Sequence, residues 1–188
     1  MSRHPVLRFL LWVLAFAGLY YLWFPLYSKL FLTLAEPPLE AVLGRAVELS
    51  TPPMGKGFSL LVAGSEEPLA FRFDLFSVAL NWIFAPALVM TTVGFTTSGV
   101  VRALAAIALM AVFHALHVDI IVLHFLADGY PLFPRGVSPA LLSLIHWLYK
   151  FADKVANGFF PFLAWVIVCF DVLYQRLWGP SEAVHPTS

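Results

Sequence analysis

Cysteine is almost missing from this chain. Cys169 is the only one in 188 residues, which excludes an internal disulfide framework and any cysteine-rich metal site. Charge is also scarce, at 12% of residues against about 25% in soluble domains. Eleven basic and eleven acidic residues cancel, so nothing in the balance draws the chain to nucleic acid or to a strongly anionic partner. No serine nucleophile elbow, phosphate-binding loop, dinucleotide fingerprint or zinc-protease motif occurs. Internal repeats and low-complexity segments are absent as well.

What is present is apolar. Hydrophobic residues make up 61% of the chain, gathered into long runs. Phe9 to Leu34 is broken only by Lys29, and Leu75 to Val93 carries no charge. Ala103 to Ala127 holds only Asp119 and three histidines, and Phe159 to Tyr174 only Asp171. A hydrocarbon core of about 30 Å needs roughly 20 helical residues to cross it. The runs lack the two-residue alternation of a barrel strand, which leaves helices as the way to satisfy the backbone in lipid. The expected fold is an all-α membrane protein: a four-span helical bundle forming one domain over residues 1–188. Arg3, His4 and Arg8 precede the first run in the manner of a signal peptide, but the apolar stretch continues past Ala15-Phe16-Ala17 to Phe24. It reads as a retained span, bent at Pro25.

Residues 36–74 form the longest polar stretch, punctuated by Pro37, Pro38, Pro52, Pro53 and Pro68 and by Gly55, Gly57 and Gly64. Ala46 to Leu49, Phe58 to Ala63 and Leu69 to Phe73 read as short strands, giving a small extracytoplasmic β-rich insert. Asp128-Gly129-Tyr130-Pro131 and Pro134-Arg135-Gly136 mark a loop. Ser138 then caps a helix with Pro139 in its first turn, and Trp147, Tyr149, Lys150 and Lys154 give it an interfacial character. Asn157-Gly158 separates this interfacial helix from the last span. Arg3 and Arg8 favour a cytoplasmic N-terminus, with Arg102 and Arg176 on the same side. Arg45, Lys56, Arg72, Arg135, Lys150 and Lys154 then lie outside, against the positive-inside rule. The expected location is a bacterial inner membrane, crossed several times.

The chemistry to weigh sits on the third span. His114, His117 and His124 fall on one narrow helical stripe at about 100° per residue, and His146 in the next helix is placed to approach it. Ionisable groups inside a membrane usually face a bundle interior or cavity. One reading is structural: neutral histidines hydrogen-bond across helices and hold the bundle together without a cofactor. The alternative makes His114, His117, His124 and His146 ligands of a haem or metal ion, or a proton relay. Asp119 points away from the stripe and reads as a polar tie to another helix, with Asn81 as its partner. Asp171 reads as reaching the interface or Gln175. Cys169 has no basic neighbour in sequence to draw out a thiolate and reads as an inert apolar residue.

The order of features from roughly Val42 to Val168 resembles the exosortase/archaeosortase family of membrane-embedded protein-sorting transpeptidases. The resemblance implies a Cys, an Arg and a His contributed by separate membrane segments. Here FDLFSVALNW, Phe73 to Trp82, stands at the place of the Cys motif without a Cys. FHALHVDIIV, Phe113 to Val122, stands at the place of the Arg motif without an Arg. Arg102 is the nearest arginine, and His146 corresponds to the family His by order along the chain. Without a nucleophile and a cation, thioester chemistry has no means. The chain is therefore similar to the small non-catalytic membrane proteins associated with exosortases. The resemblance implies an accessory or scaffold role, with the lipid bilayer and a membrane protein as partners.

Overall fold

A computed structural model describes residues 4–51, 57–65, 67–71, 79–127 and 138–178. Three of its helical segments are long and apolar enough to cross a membrane: Pro5–Leu43, Thr97–Ala127 and Pro139–Trp178. At 1.5 Å per residue they measure about 58, 46 and 60 Å, well beyond a 30 Å hydrocarbon core. Helix α1 is Pro5–Leu43. It runs unbroken through Pro25, so no separate segment begins there, and through Pro37 and Pro38. The insert therefore starts at Gly44 rather than at Glu36. Gly44 ends the helix in the left-handed conformation, its N–H returning to the Glu40 carbonyl, the usual glycine stop.

Strands β1 (Val47–Ser50), β2 (Phe58–Val62) and β3 (Leu69–Phe71) form an antiparallel sheet in sequence order. These match the three expected strands to within a residue or two. Val47 pairs with Val62 and Leu49 with Leu60, which puts Val47, Leu49, Phe58, Leu60 and Val62 together in the core. Glu36 and Glu40, one helical turn apart on α1, accept the backbone N–H groups of Leu49 and Val47 at 3.0 and 3.1 Å. Two carboxylates thus close the edge of β1 that faces away from β2.

A 3-10 turn, Leu80–Ile83, leads into α2 (Phe84–Val93). Among the described residues, the turn and α2 of the expected second span together measure about 23 Å; positions 75–78 lie outside the described residues. Gly94 then reverses the chain at φ 92, a conformation open to glycine. Thr96 caps α3 (Thr97–Ala127) by accepting the Gly99 N–H at 3.0 Å. Helix α3 is the central element, packed against α1, α2 and the C-terminal helices.

Ser138 caps α4 (Pro139–Phe151) by accepting the Leu141 N–H, with Pro139 in the first turn as expected. Asn157 and Gly158 do not break the chain, however. A π-helical turn, Ala152–Ala156, joins α4 directly to α5 (Asn157–Trp178). The supposed interfacial helix is thus the upper part of one 40-residue apolar rod. The turn-rich loop at Asp128 to Gly136 lies outside the described residues.

Candidate functional site

One chain of hydrogen bonds crosses the bundle. Tyr27 of α1 donates to His114 Nδ1 at 2.7 Å, and His114 Nε2 donates to Asn81 Oδ1 at 2.8 Å. Asn81 Nδ2 donates to both oxygens of Asn157, at 2.6 Å to Oδ1 and also to the backbone carbonyl. The directions follow from the donor inventory. Asn81 faces two oxygens, which only its NH2 serves, so its own oxygen faces His114 and requires a proton on Nε2. A neutral imidazole then accepts at Nδ1, and the Tyr27 hydroxyl is the donor. Neutrality is also what an apolar bundle favours.

Local sequence explains why Asn157 is the end of this chain. In a regular helix its carbonyl would accept from residue 161, but that residue is Pro161, which has no N–H. The carbonyl is left open at the start of α5, and Asn81 fills it. Aromatic rings enclose the chain. Trp82 packs edge-on to Tyr20 with centroids 5.6 Å apart and tilts against Tyr27 at 5.6 Å; Phe31 lies 5.7 Å from the His114 ring.

The four histidines singled out in the sequence divide. His114 is 2% exposed, and both its ring nitrogens are engaged in hydrogen bonds. His117, one turn further along α3, is equally buried. His124 stacks on Tyr149 at 4.2 Å and lies 5.1 Å from the ring of His146, which is on the exposed side of α4. His146 does therefore approach the stripe, but only at its far end. Among the described residues no group of three or more His, Cys, Asp or Glu side chains is placed to hold a metal ion. Asp119 is 5% exposed, and Asn81 is not its partner, since that amide is taken by His114 and Asn157. Its Oδ1 has no hydrogen-bond partner among the described residues.

A second polar layer lies at the other end of the bundle. Arg102 makes a two-pronged ion pair with Asp171 at 2.6 and 2.7 Å and also donates to the Val168 carbonyl. Asp171 thus meets Arg102 rather than Gln175. Arg8 and Arg176 donate to the carbonyls of Met90 and Thr92 at 3.1 and 2.7 Å. Both carbonyls belong to the last turn of α2, where cations are favoured; that of Met90 also accepts the Gly94 N–H at 3.0 Å. Cys169 is fully buried beside Val168, at the level of Arg102. Arg102 and His114 are twelve residues apart on α3, about 18 Å along the axis. Cysteine, arginine and these histidines therefore do not meet.

Nothing in the sequence marks Tyr27 or Asn157 as a member of this chain. Pro161 four residues after Asn157 announces an open carbonyl, but nothing announces which side chain fills it. Comparison with protein-family models, curated proteins and solved structures finds no match to this chain.

Proposed function

We propose that this chain is a non-catalytic membrane scaffold, an accessory subunit that holds a membrane-embedded partner of a bacterial protein-sorting system. The observation that carries the reading is the hydrogen-bonded chain from Tyr27 through His114 and Asn81 to Asn157. It uses the best-placed histidine to join helices and leaves neither ring nitrogen for proton abstraction or ligation. The separation of Cys169 from the buried histidines supports it further. A nucleophile needs a base within hydrogen-bond reach.

The charges suggest how the bundle sits. Arg8, Arg102, Asp171 and Arg176 lie towards one end of the bundle. On α1 the next charge is Lys29, about 31 Å from Arg8; on α3 it is Asp119, about 25 Å from Arg102; in the π turn before α5, Lys154 lies about 33 Å from Arg176. These separations bracket the thickness of a hydrocarbon core. Within such a slab the 3-10 turn and α2 pass between the two polar layers, from Asn81 to Thr92, and form a short fourth crossing. The arginine-rich face is cytoplasmic by the positive-inside rule, which puts the sheet on the outer side of the inner membrane.

The test is affinity purification of the full chain from native membranes in mild detergent. A membrane peptidase recovered in a fixed ratio supports the scaffold. A second reading, a haem-, metal- or proton-handling subunit, is favoured by the approach of His124 to His146 from separate helices. One equivalent of metal or haem in the isolated chain, lost in His124→Gln, selects that reading instead.

A further inference from the structure

A groove opens on the lipid-facing side between α1 and α3, close to the arginine layer. Its deeper part, about 380 Å³, is walled by Trp12, Phe16, Leu19, Phe95, Leu104 and Ile107. Ala15 and Ala103 also line it, and such short side chains leave room for a guest. A shallower part of about 350 Å³ shares Trp12, Ala15 and Phe95 and ends at Arg8. Trp12 and Phe95 stack at 5.8 Å where the two parts meet. From Arg8 to Leu19 the groove follows α1 for about 17 Å, the depth of a single leaflet of a 30 Å core.

The charge at its mouth is distinctive. Arg102 is neutralised by Asp171, but among the described residues no carboxylate pairs with Arg8. Its single hydrogen bond there, from Nη2 to the Met90 carbonyl, leaves four of five guanidinium N–H groups to serve an anion. We infer that this groove binds an anionic glycerophospholipid, with an acyl chain between α1 and α3 and the phosphate headgroup on Arg8. The inference rests on the arginine end lying in a bilayer and is independent of the protein-sorting reading. Length, apolar walls and a terminal cation fit an amphiphile of that charge, because a guanidinium matches a phosphate bidentately.

Native mass spectrometry of the full chain, given equal phosphatidylglycerol and phosphatidylcholine, tests this. The wild type is expected to retain phosphatidylglycerol about fivefold better, the effect of one basic residue at an anionic surface. Arg8→Gln should bind the two lipids equally, and Arg8→Lys should keep most of the preference. Ala15→Phe, which fills the groove from an exposed position on α1, should lose both lipids while remaining folded by circular dichroism. Equal retention by the wild type overturns the proposal. So does an unchanged preference in Arg8→Gln, or undiminished binding in Ala15→Phe, since each moves the lipid elsewhere.

Discussion

Replacing Asn81 with alanine removes three hydrogen bonds at once: the acceptor for His114 Nε2 and both donors to Asn157. Cross-helix hydrogen bonds in membranes average about 0.6 kcal/mol, so simple loss of three costs roughly 2 kcal/mol. Buried groups left without partners cost about 1–3 kcal/mol each, which raises the expected penalty toward about 4 kcal/mol. Asn157→Ala behaves differently, because it deletes only the side-chain acceptor and keeps the carbonyl. Its cost should stay near 0.6 kcal/mol. Pro161 supplies the decisive comparison. Pro161→Ala restores an N–H four residues beyond Asn157 and gives that carbonyl a partner inside its own helix. In the Pro161→Ala background, Asn81→Ala should therefore cost about 0.6–1.7 kcal/mol less than in the wild type. Reversible unfolding in mixed micelles, titrated with a denaturing detergent, gives all four values. Equal penalties for Asn81→Ala and Asn157→Ala, or an unchanged penalty in the Pro161→Ala background, would refute the backbone bond as the reason for Asn81.

Gly99→Ala should destabilise by more than about 1 kcal/mol, although alanine is the better helix former by that amount. A Cβ there would clash with the Gly94 carbonyl oxygen, and thermal aggregation of the detergent-solubilised variant reads the loss. Glu36→Ala with Glu40→Ala should speed amide exchange at Val47 and Leu49 by at least about tenfold, whereas the double Gln variant keeps an acceptor and stays slow. Unchanged exchange in the alanine variant would separate β1 from α1. For orientation, Ala63→Cys in a Cys169→Ser background should react with an impermeant thiol reagent in intact cells. Labelling only after permeabilisation inverts the topology.

Much of this fold was legible in the sequence because the signals are local. Ser138-Pro139 forecast a helix start, and the alternation of Phe58 to Val62 forecast a strand. Local signals mislead where tertiary structure supplies the hydrogen bonds. Pro37 and Pro38 read as loop, yet α1 continues to Leu43 because Leu39 and Leu43 pack in the core and the two glutamates hold β1. Asn157-Gly158 read as a break, yet a π turn carries the helix through, with Asn81 meeting the carbonyl that Pro161 leaves open. His114, His117 and His124 are all buried on α3. What each histidine touches was not readable, because Tyr27, Asn81 and Tyr149 come from distant segments.

Polar side chains in this bundle are largely taken up by backbone carbonyls. Arg8 reaches Met90, Arg176 reaches Thr92, Arg102 reaches Val168 and Asn81 reaches Asn157. Ser28 donates to Pro25, Thr91 to Ala87 and Thr92 to Leu88. In lipid an unsatisfied backbone group costs several kcal/mol, so helix ends and proline sites are where polar residues are most needed. A catalytic site asks the reverse: polar groups held near one another but left with atoms turned to a substrate. His114, the most buried of the stripe together with His117, has no such atom. Asp119 Oδ1 and Trp82 Nε1 are exceptions, buried polar atoms with no hydrogen-bond partner among the described residues. Asp119 lies five residues beyond His114 on α3, about 7.5 Å further along the axis from the hydrogen-bonded chain.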